Sequence, residues 1–304
     1  MIKKINIALA VVFAVLFGLK LLLDFVESAK KDERRTVAAQ TFQSEVSTLA
    51  PHVYFVRWEP FFAPNLVTKH DGFCLDIIRE IFPNAIFDDS KDTTRIAAVR
   101  DILKSDPRAV IADFGDMKEL EEFPAAEEQM FMVMLCVYTP RTSAWTYTGP
   151  ESLDQLRLGW TEDFNDSPVL RAFAEKWKDT PGKAVVSEIL CDAGDYFWKM
   201  IEKGELDGFV SSYGYILNSG EQDDAKAFVR YRSSKPIDRV KIRFRASNVD
   251  LEWSKAVCKA FDDGVHRLYH SGFIQRLLDY YRKDMGAKGL KDLVVPIDCY
   301  GEDK

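Results

Sequence analysis

An α/β fold built as two successive units behind a membrane-directed N-terminal helix is what this sequence predicts. Three observations carry the prediction. The N-terminus is basic and then apolar, short β-branched or aromatic strands alternate with helices up to Pro140, and the same alternation restarts after it. With 304 residues, 47% of them hydrophobic, the chain can bury one large core or two modest ones. The net charge of -7 and the lack of a lysine or arginine run in the body of the chain exclude nucleic acid as a partner, because phosphates need a basic footprint.

The N-terminus reads Met1-Ile2-Lys3-Lys4, then an apolar run from Ile5 to Leu19, then Lys20 and Leu21-Leu22-Leu23. A positive flank before an apolar stretch directs a chain to the export machinery. Two outcomes follow: cleavage near Val26-Glu27-Ser28, or retention as an anchor with Lys20 snorkelling to the interface. Residues 5–23 therefore place the body on the periplasmic or extracellular face. The first cysteine is Cys74, so a lipid-attached N-terminus is not expected.

From Ser28 to about Ala50 the chain is a polar spacer of mixed charge, ended by Pro51. His52 to Val56 reads as a strand, and Gly72 opens a helix over Leu75–Phe82 with Ile77, Ile78 and Ile81 on one side. A helix led by Asp92-Thr93-Thr94-Arg95 runs through Leu103, Ala109–Ala112 is a buried strand, and Met130–Tyr138 is a central one, too short for a membrane span. The second block has a strand at Leu156–Trp160 and a helix from Asp166-Ser167-Pro168 to about Lys178, with Asp166 as its cap and Pro168 in its first turn. A strand at Ala184–Val186, a helix over Asp195–Lys203 stopped by Gly204, and a strand at Leu206–Val210 follow. Val240–Arg245 alternates as a strand with one wet face, and Leu251–Tyr281 is helical with a break near Ser271-Gly272. Both sheets are expected to be largely parallel.

None of the five cysteines, Cys74, Cys136, Cys191, Cys258 and Cys299, forms a C-x-x-C pair, so no metal is expected through them. Cys74 and Cys136 read as core residues, and a Cys258–Cys299 bridge is possible in an oxidising compartment. His266 and His270 lie four apart on a helix without the acidic partner of a metalloprotease, and read as structural or solvent-facing. The doubled acids Glu121-Glu122 and Glu127-Glu128 read as a solvated face of a charged helix. There is no G-x-S-x-G, no P-loop and no cysteine paired with a histidine, so neither an enzyme nor a cofactor is expected.

Four segments together resemble the type 2 periplasmic solute-binding proteins, especially the branch serving polar amino acid uptake by ABC transporters. They are Trp58-Glu59-Pro60-Phe61 with Gly72-Phe73-Cys74-Leu75-Asp76-Ile77; Tyr147 through Gly159; Gly204-Glu205-Leu206-Asp207-Gly208; and Ala260 to Gly264 with Gly272-Phe273-Ile274 and Tyr280-Tyr281. The resemblance spans roughly residues 50 to 285 and implies a two-lobed fold. Residues 50–140 plus 241–304 would form lobe 1, residues 141–240 lobe 2, residues 1–29 a signal peptide or anchor, and residues 30–49 a spacer. Two positions depart from that family. The stretch Asp113 to Leu120 lacks the arginine that holds a ligand carboxylate, and Ser212 stands where an aspartate holds the ammonium.

In such a fold the cleft lies beyond the C-terminal ends of the strands. That assigns to it Trp58, Glu59 and Phe61 after the first strand, Asp113 and Asp116 after the third, Thr161, Glu162, Asp163, Asp166 and Ser167 after Trp160, and Ser211, Ser212 and Tyr213 after Val210. Trp58 and Phe61 are equally explained by lobe packing, and Asp166 by helix capping. Aromatics with hydroxyls and carboxylates suit a neutral or cationic polar solute and disfavour an organic anion or a standard amino acid. The expected function is solute capture, with a membrane permease or a sensor as partner. The alternatives are a membrane-anchored sensory or accessory protein with a vestigial cleft, and a small dehydratase-like enzyme using Glu59 or Glu162 as its acid.

Overall fold

The computed structural model describes residues 44, 46–55, 72–90, 93, 95–115, 117–188, 193–212 and 231–283, and the chain divides into two compact units, Met1–Thr48 and Leu49–Lys304. Of the first unit the described residues form a short turn, in which Ser47 Oγ donates to the Ser44 carbonyl at 2.8 Å. The expected N-terminal helix lies outside the described residues. Among the described residues no helix is long and apolar enough to cross a membrane.

The second unit runs β1 (His52–Tyr54), α1 (Phe73–Ile81), β2 (Ile86–Asp88), α2 (Ile96–Ser105), β3 (Ala109–Phe114), β4 (Ala125–Pro140), β5 (Leu158–Thr161), α3 (Pro168–Trp177), β6 (Ala184–Ser187), α4 (Ala193–Glu202), β7 (Gly208–Ser212), β8 (Tyr231–Ser233), β9 (Asp238–Ala246), α5 (Leu251–His270) and α6 (Phe273–Lys283). The strands form one sheet in the order β2-β1-β3-β9-β4-β7-β5-β6, with β8 paired to β4 off that path. Each flank is parallel, through β1 with β2 and β3 and through β5 with β6 and β7. The centre is antiparallel, which corrects the expectation of largely parallel sheets: β9 pairs with β3 and β4, and β4 pairs with β7.

β4 joins the flanks because it is sixteen residues long. Its first part, Ala125 to Leu135, pairs with β9, and Leu135 to Tyr138 then pairs with β7. From Gln129 to Thr139 nearly every side chain is buried, so the run is apolar on both faces and lacks the alternation of a half-wet strand. The doubled acids Glu127 and Glu128 lie in β4 and not in a helix. Asp262 of α5 accepts from both their backbone N–H groups, at 3.2 and 2.8 Å, and Glu128 pairs with His266 at 2.9 Å. Burial holds the Asp262 carboxyl above its usual range.

On the β1–β3 flank α1 is buried almost all round, and α5 turns Trp253, Val257, Phe261, Val265 and Leu268 inward at helical spacing. Phe244 of β9 stacks between Phe82 and Phe261, at centroid distances of 5.8 and 4.3 Å. Gly264 lets α5 lie against α1, since a Cβ there would stand 2.7 Å from the Ile81 side chain. A buried polar knot closes this flank: the Gly72 N–H donates to Tyr281 Oη at 2.9 Å, and that hydroxyl donates to Asp76 at 2.9 Å.

On the β5–β7 flank Phe209 stacks between Tyr138 and Phe197. Trp160 is fully buried, with its indole N–H on Asn165 at 2.8 Å. Arg157 makes a bidentate pair with Asp207, which holds the Asp207 carboxyl below its usual range. Cys74, Cys136 and Cys258 are buried. Cys136 and Cys258 are free thiols pushed up to about 12 by burial, and the bridge allowed between Cys258 and Cys299 involves a residue outside the described ones. Cys191 and Cys299 lie outside the described residues.

Candidate ligand-binding site

The flanks meet where β3 and β5 end. Gly115 follows β3, and a Cβ added there would stand 3.3 Å from the Asp163 carbonyl oxygen and 3.7 Å from that of Lys241. A larger side chain at Gly115 would push the two flanks apart. Asp163 lies in the 3-10 turn Glu162–Phe164, formed directly after β5. The strand ends at this point because Thr161 is its last paired residue, opposite Ser187.

The residues assigned to the site from the sequence are distributed unevenly. Trp58, Glu59, Phe61, Asp116 and Tyr213 lie outside the described residues. Asp113 stands within β3, and Ser211 and Ser212 stand within β7, so these three belong to strands and not to the loops that follow them. Ser211 and Ser212 pair with Cys136 and Leu135 of β4, and the Ser212 carbonyl accepts from Tyr138 Oη at 2.8 Å. Thr161 is the buried end of β5, and its hydroxyl bonds the Asp163 carboxyl.

Ser167, not Asp166, is the N-cap of α3. Its Oγ accepts from the Leu170 N–H at 3.2 Å, and Pro168 takes the first helical position, where no N–H is needed. The Ser167 hydroxyl also donates to Asp238 at the start of β9, and Asp238 accepts from the Val169 N–H at 3.2 Å. The positive end of α3 is thus already occupied by a carboxylate of the chain itself. Asp166 is half-buried beside it.

Sequence reasoning missed Gly115 and Asp238, and placed Asp163 at the cleft only as one acid among several. Burial pushes the Asp163 carboxyl up to about 6, against the hydrogen bond from Thr161. Its Oδ1 is buried without a hydrogen-bond partner. The Glu162 carboxyl is likewise raised, first by burial and then by the charges of Glu119 and Glu188. The readable signal was the run Thr161-Glu162-Asp163 straight after the buried Trp160, since acids at the end of an apolar strand sit at the rim of a sheet. Among the described residues no group of three or more histidines, cysteines, aspartates or glutamates is arranged to hold a metal ion.

No protein-family model and no curated protein matches the sequence. Solved structures do match the fold. A histidine kinase sensor domain with similarity to periplasmic binding proteins aligns over 81% of this chain and 98% of its own, at 14% identity and a TM-score of 0.57. EhuB in complex with hydroxyectoine aligns over 86% and 98%, at 14% identity and 0.54. The probable amino-acid ABC transporter extracellular-binding protein ytmK from Bacillus subtilis aligns over 75% and 96%, at 12% identity and 0.53. The chain therefore has the mixed α/β fold of the periplasmic binding proteins, as the resemblance in its sequence implies.

Proposed function

We propose that the chain captures a small polar solute between two lobes on the extracytoplasmic side of a membrane, reached through residues 5–23 by export or anchoring. Lobe 1 would comprise residues 50–140 plus 241–304 and lobe 2 residues 141–240, with β4 and β9 as the crossings. The observation that carries this reading is the contact of Gly115 at the end of β3 with Asp163 after β5, which sets groups from both flanks around one point. The fold supports it, since EhuB and ytmK, which share it, are described as a hydroxyectoine complex and a transporter's extracellular-binding protein.

The solute on this reading is neither an organic anion nor a standard zwitterionic amino acid. Asp238 already fills the positive end of α3, and Glu162 and Asp163 would repel a carboxylate. A second reading, in which closure signals to a membrane partner and serves no permease, is favoured by the histidine kinase sensor domain among the similar folds.

A ligand that binds the closed form better than the open one raises thermal stability. In a thermal-shift screen of neutral and cationic polar metabolites at millimolar concentration, at least one should raise Tm by several degrees while dicarboxylates do not. A panel with no stabilising compound would refute solute capture.

A further inference from the structure

The chain enters the β1–β3 flank through a joint that opposes its own backbone preferences. Ala50 has φ of +37°, and among the described residues no other non-glycine residue has a positive φ. A side chain at that angle crowds the backbone, and Pro51 pushes the residue before it toward extended geometry as well. Strain of this kind persists only where the surroundings over-determine it. Here α5, β2 and the turn between α2 and β3 do so. The Trp253 indole N–H donates to the Leu49 carbonyl at 3.0 Å, and the Ile86 N–H donates to the Pro51 carbonyl at 2.9 Å. The His52 N–H donates to the Arg108 carbonyl at 2.8 Å, and the His52 ring bonds Asp106 at 2.9 Å. Trp253 is itself fixed: its backbone N–H donates to Asp250 at 3.1 Å, and the Arg108 guanidinium lies 4.9 Å from its ring and 3.8 Å from Asp250.

Opening this joint breaks the indole bond but releases the strain at Ala50, two effects of opposite sign, so its shut and open forms lie close in free energy. Trp253 stands in the first turn of α5, which is one unbroken helix. Further along it, about 13 Å by helical rise, Asp262 accepts from the Glu127 and Glu128 N–H groups of β4, at 3.2 and 2.8 Å. Beside Asp262, Phe261 stacks on Phe244 of β9 at 4.3 Å. We infer that Leu49–His52 is a strained joint held shut by Trp253, and that α5 is the lever coupling it to the crossing strands β4 and β9. A movement of the chain at Leu49 and a bend of the crossing strands then each shift the other, because coupling between two sites is reciprocal. This extends the reading in which closure signals to a membrane partner. Its test uses no solute, so its failure leaves solute capture standing.

The test combines melting curves with hydrogen exchange, on the full chain and on the variants Ala50→Gly, Trp253→Phe and the two together. Glycine accepts a positive φ freely, so Ala50→Gly should raise Tm by about 2 °C. Trp253→Phe keeps an aromatic ring under Arg108 but removes the donor to Leu49. With the joint thus released, the same glycine should raise Tm by less than about half as much. Trp253→Phe should also speed exchange on the order of tenfold, in the His52 and Ile86 amides at the joint and in the Glu127 and Glu128 amides of β4. A fall in Tm on Ala50→Gly, or an equal rise in both backgrounds, overturns the strained joint. Faster exchange confined to His52 and Ile86 overturns the lever. If Trp253→Phe does not fold, Arg108→Gln, which takes the cation from the indole face, replaces it and is judged by the same outcomes.

Discussion

The two flanks of the β4–β9 pair are held together by different physics. The β1–β3 flank is secured from inside, by the Phe82–Phe244–Phe261 stack and by the buried knot of Gly72, Tyr281 and Asp76. The β5–β7 flank has its own stack of Tyr138, Phe209 and Phe197, but its rim is tied by ion pairs open to water, Arg157 with Asp207 and Lys176 with Asp154. Buried apolar contacts are indifferent to salt, whereas exposed pairs are screened and each contributes little. The β1–β3 flank carries exposed pairs as well, Arg100 and Lys104 with Glu122, so what sets it apart as the frame is the buried knot. The β5–β7 flank is the part whose rim is exposed to screening by salt, and it carries Glu162, Asp163 and the α3 cap.

The largest expected effect comes from breaking the frame. Phe261→Ala empties a fully buried ring site and should cost about 3–5 kcal/mol in urea unfolding. A cost near 1 kcal/mol would show that the frame does not depend on that stack. Gly159→Ala tests the other flank from inside, because its Cβ would stand 2.4 Å from the Phe197 ring and 2.8 Å from Leu206. We expect a loss of roughly 1–3 kcal/mol by overpacking, with proteolysis cutting the β5–β7 flank first.

A pH titration sharpens the comparison. The Asp163 carboxyl is raised to about 6 in the folded protein, so between about pH 4 and 6 the native state binds a proton that the unfolded chain releases. Stability is therefore greatest at the acid end of that window and falls as pH rises through about 6, by on the order of 2 kcal/mol. Asp163→Asn should flatten this slope, leaving the smaller contributions of Glu162 and Asp262, which run in the same direction. An unchanged slope in the variant would mean that the buried oxygen is not the group that titrates. The smallest effect is expected at the rim. Arg157→Ala removes a bidentate pair that water reaches, and should cost about 0.5–1 kcal/mol at low salt and less at high salt. A loss of several kcal/mol, insensitive to salt, would erase the contrast between the flanks.

Much of the fold was legible because its signals are local. Periodicity located α1, α5 and the buried run of β4, and glycine marked real stops, since Gly204 and Gly272 both have φ of +71° after their helices. β2 escaped notice because it is three residues long and exposes Ile86, so it carries no apolar pattern. The antiparallel centre was not legible either, because β9 alternates in the same way whichever direction its neighbours run. Glu127-Glu128 looked helical because doubled acids carry no strand signature, and only the caps from Asp262 explain their place in β4. At the site, Asp166 and Ser167 are equally good caps by residue type, and the choice of Ser167 depends on Asp238, seventy-one residues away. The contact of Gly115 with Asp163 is of the same kind: it is a property of the assembled sheet, and no spacing along the chain reports it.

The place of β9 in the sheet also shapes the route to the folded state. β9 lies between β3 and β4, yet in the chain it follows both by about a hundred residues or more. Until Ala246 has been synthesised, β3 keeps an open edge and β4 lacks the partner that covers most of its length. A sheet that closes through its own late segment has a high contact order, folds slowly, and leaves apolar edges unprotected while it waits. Pairing at the centre of the sheet is thus completed only after the chain has been made as far as Ala246.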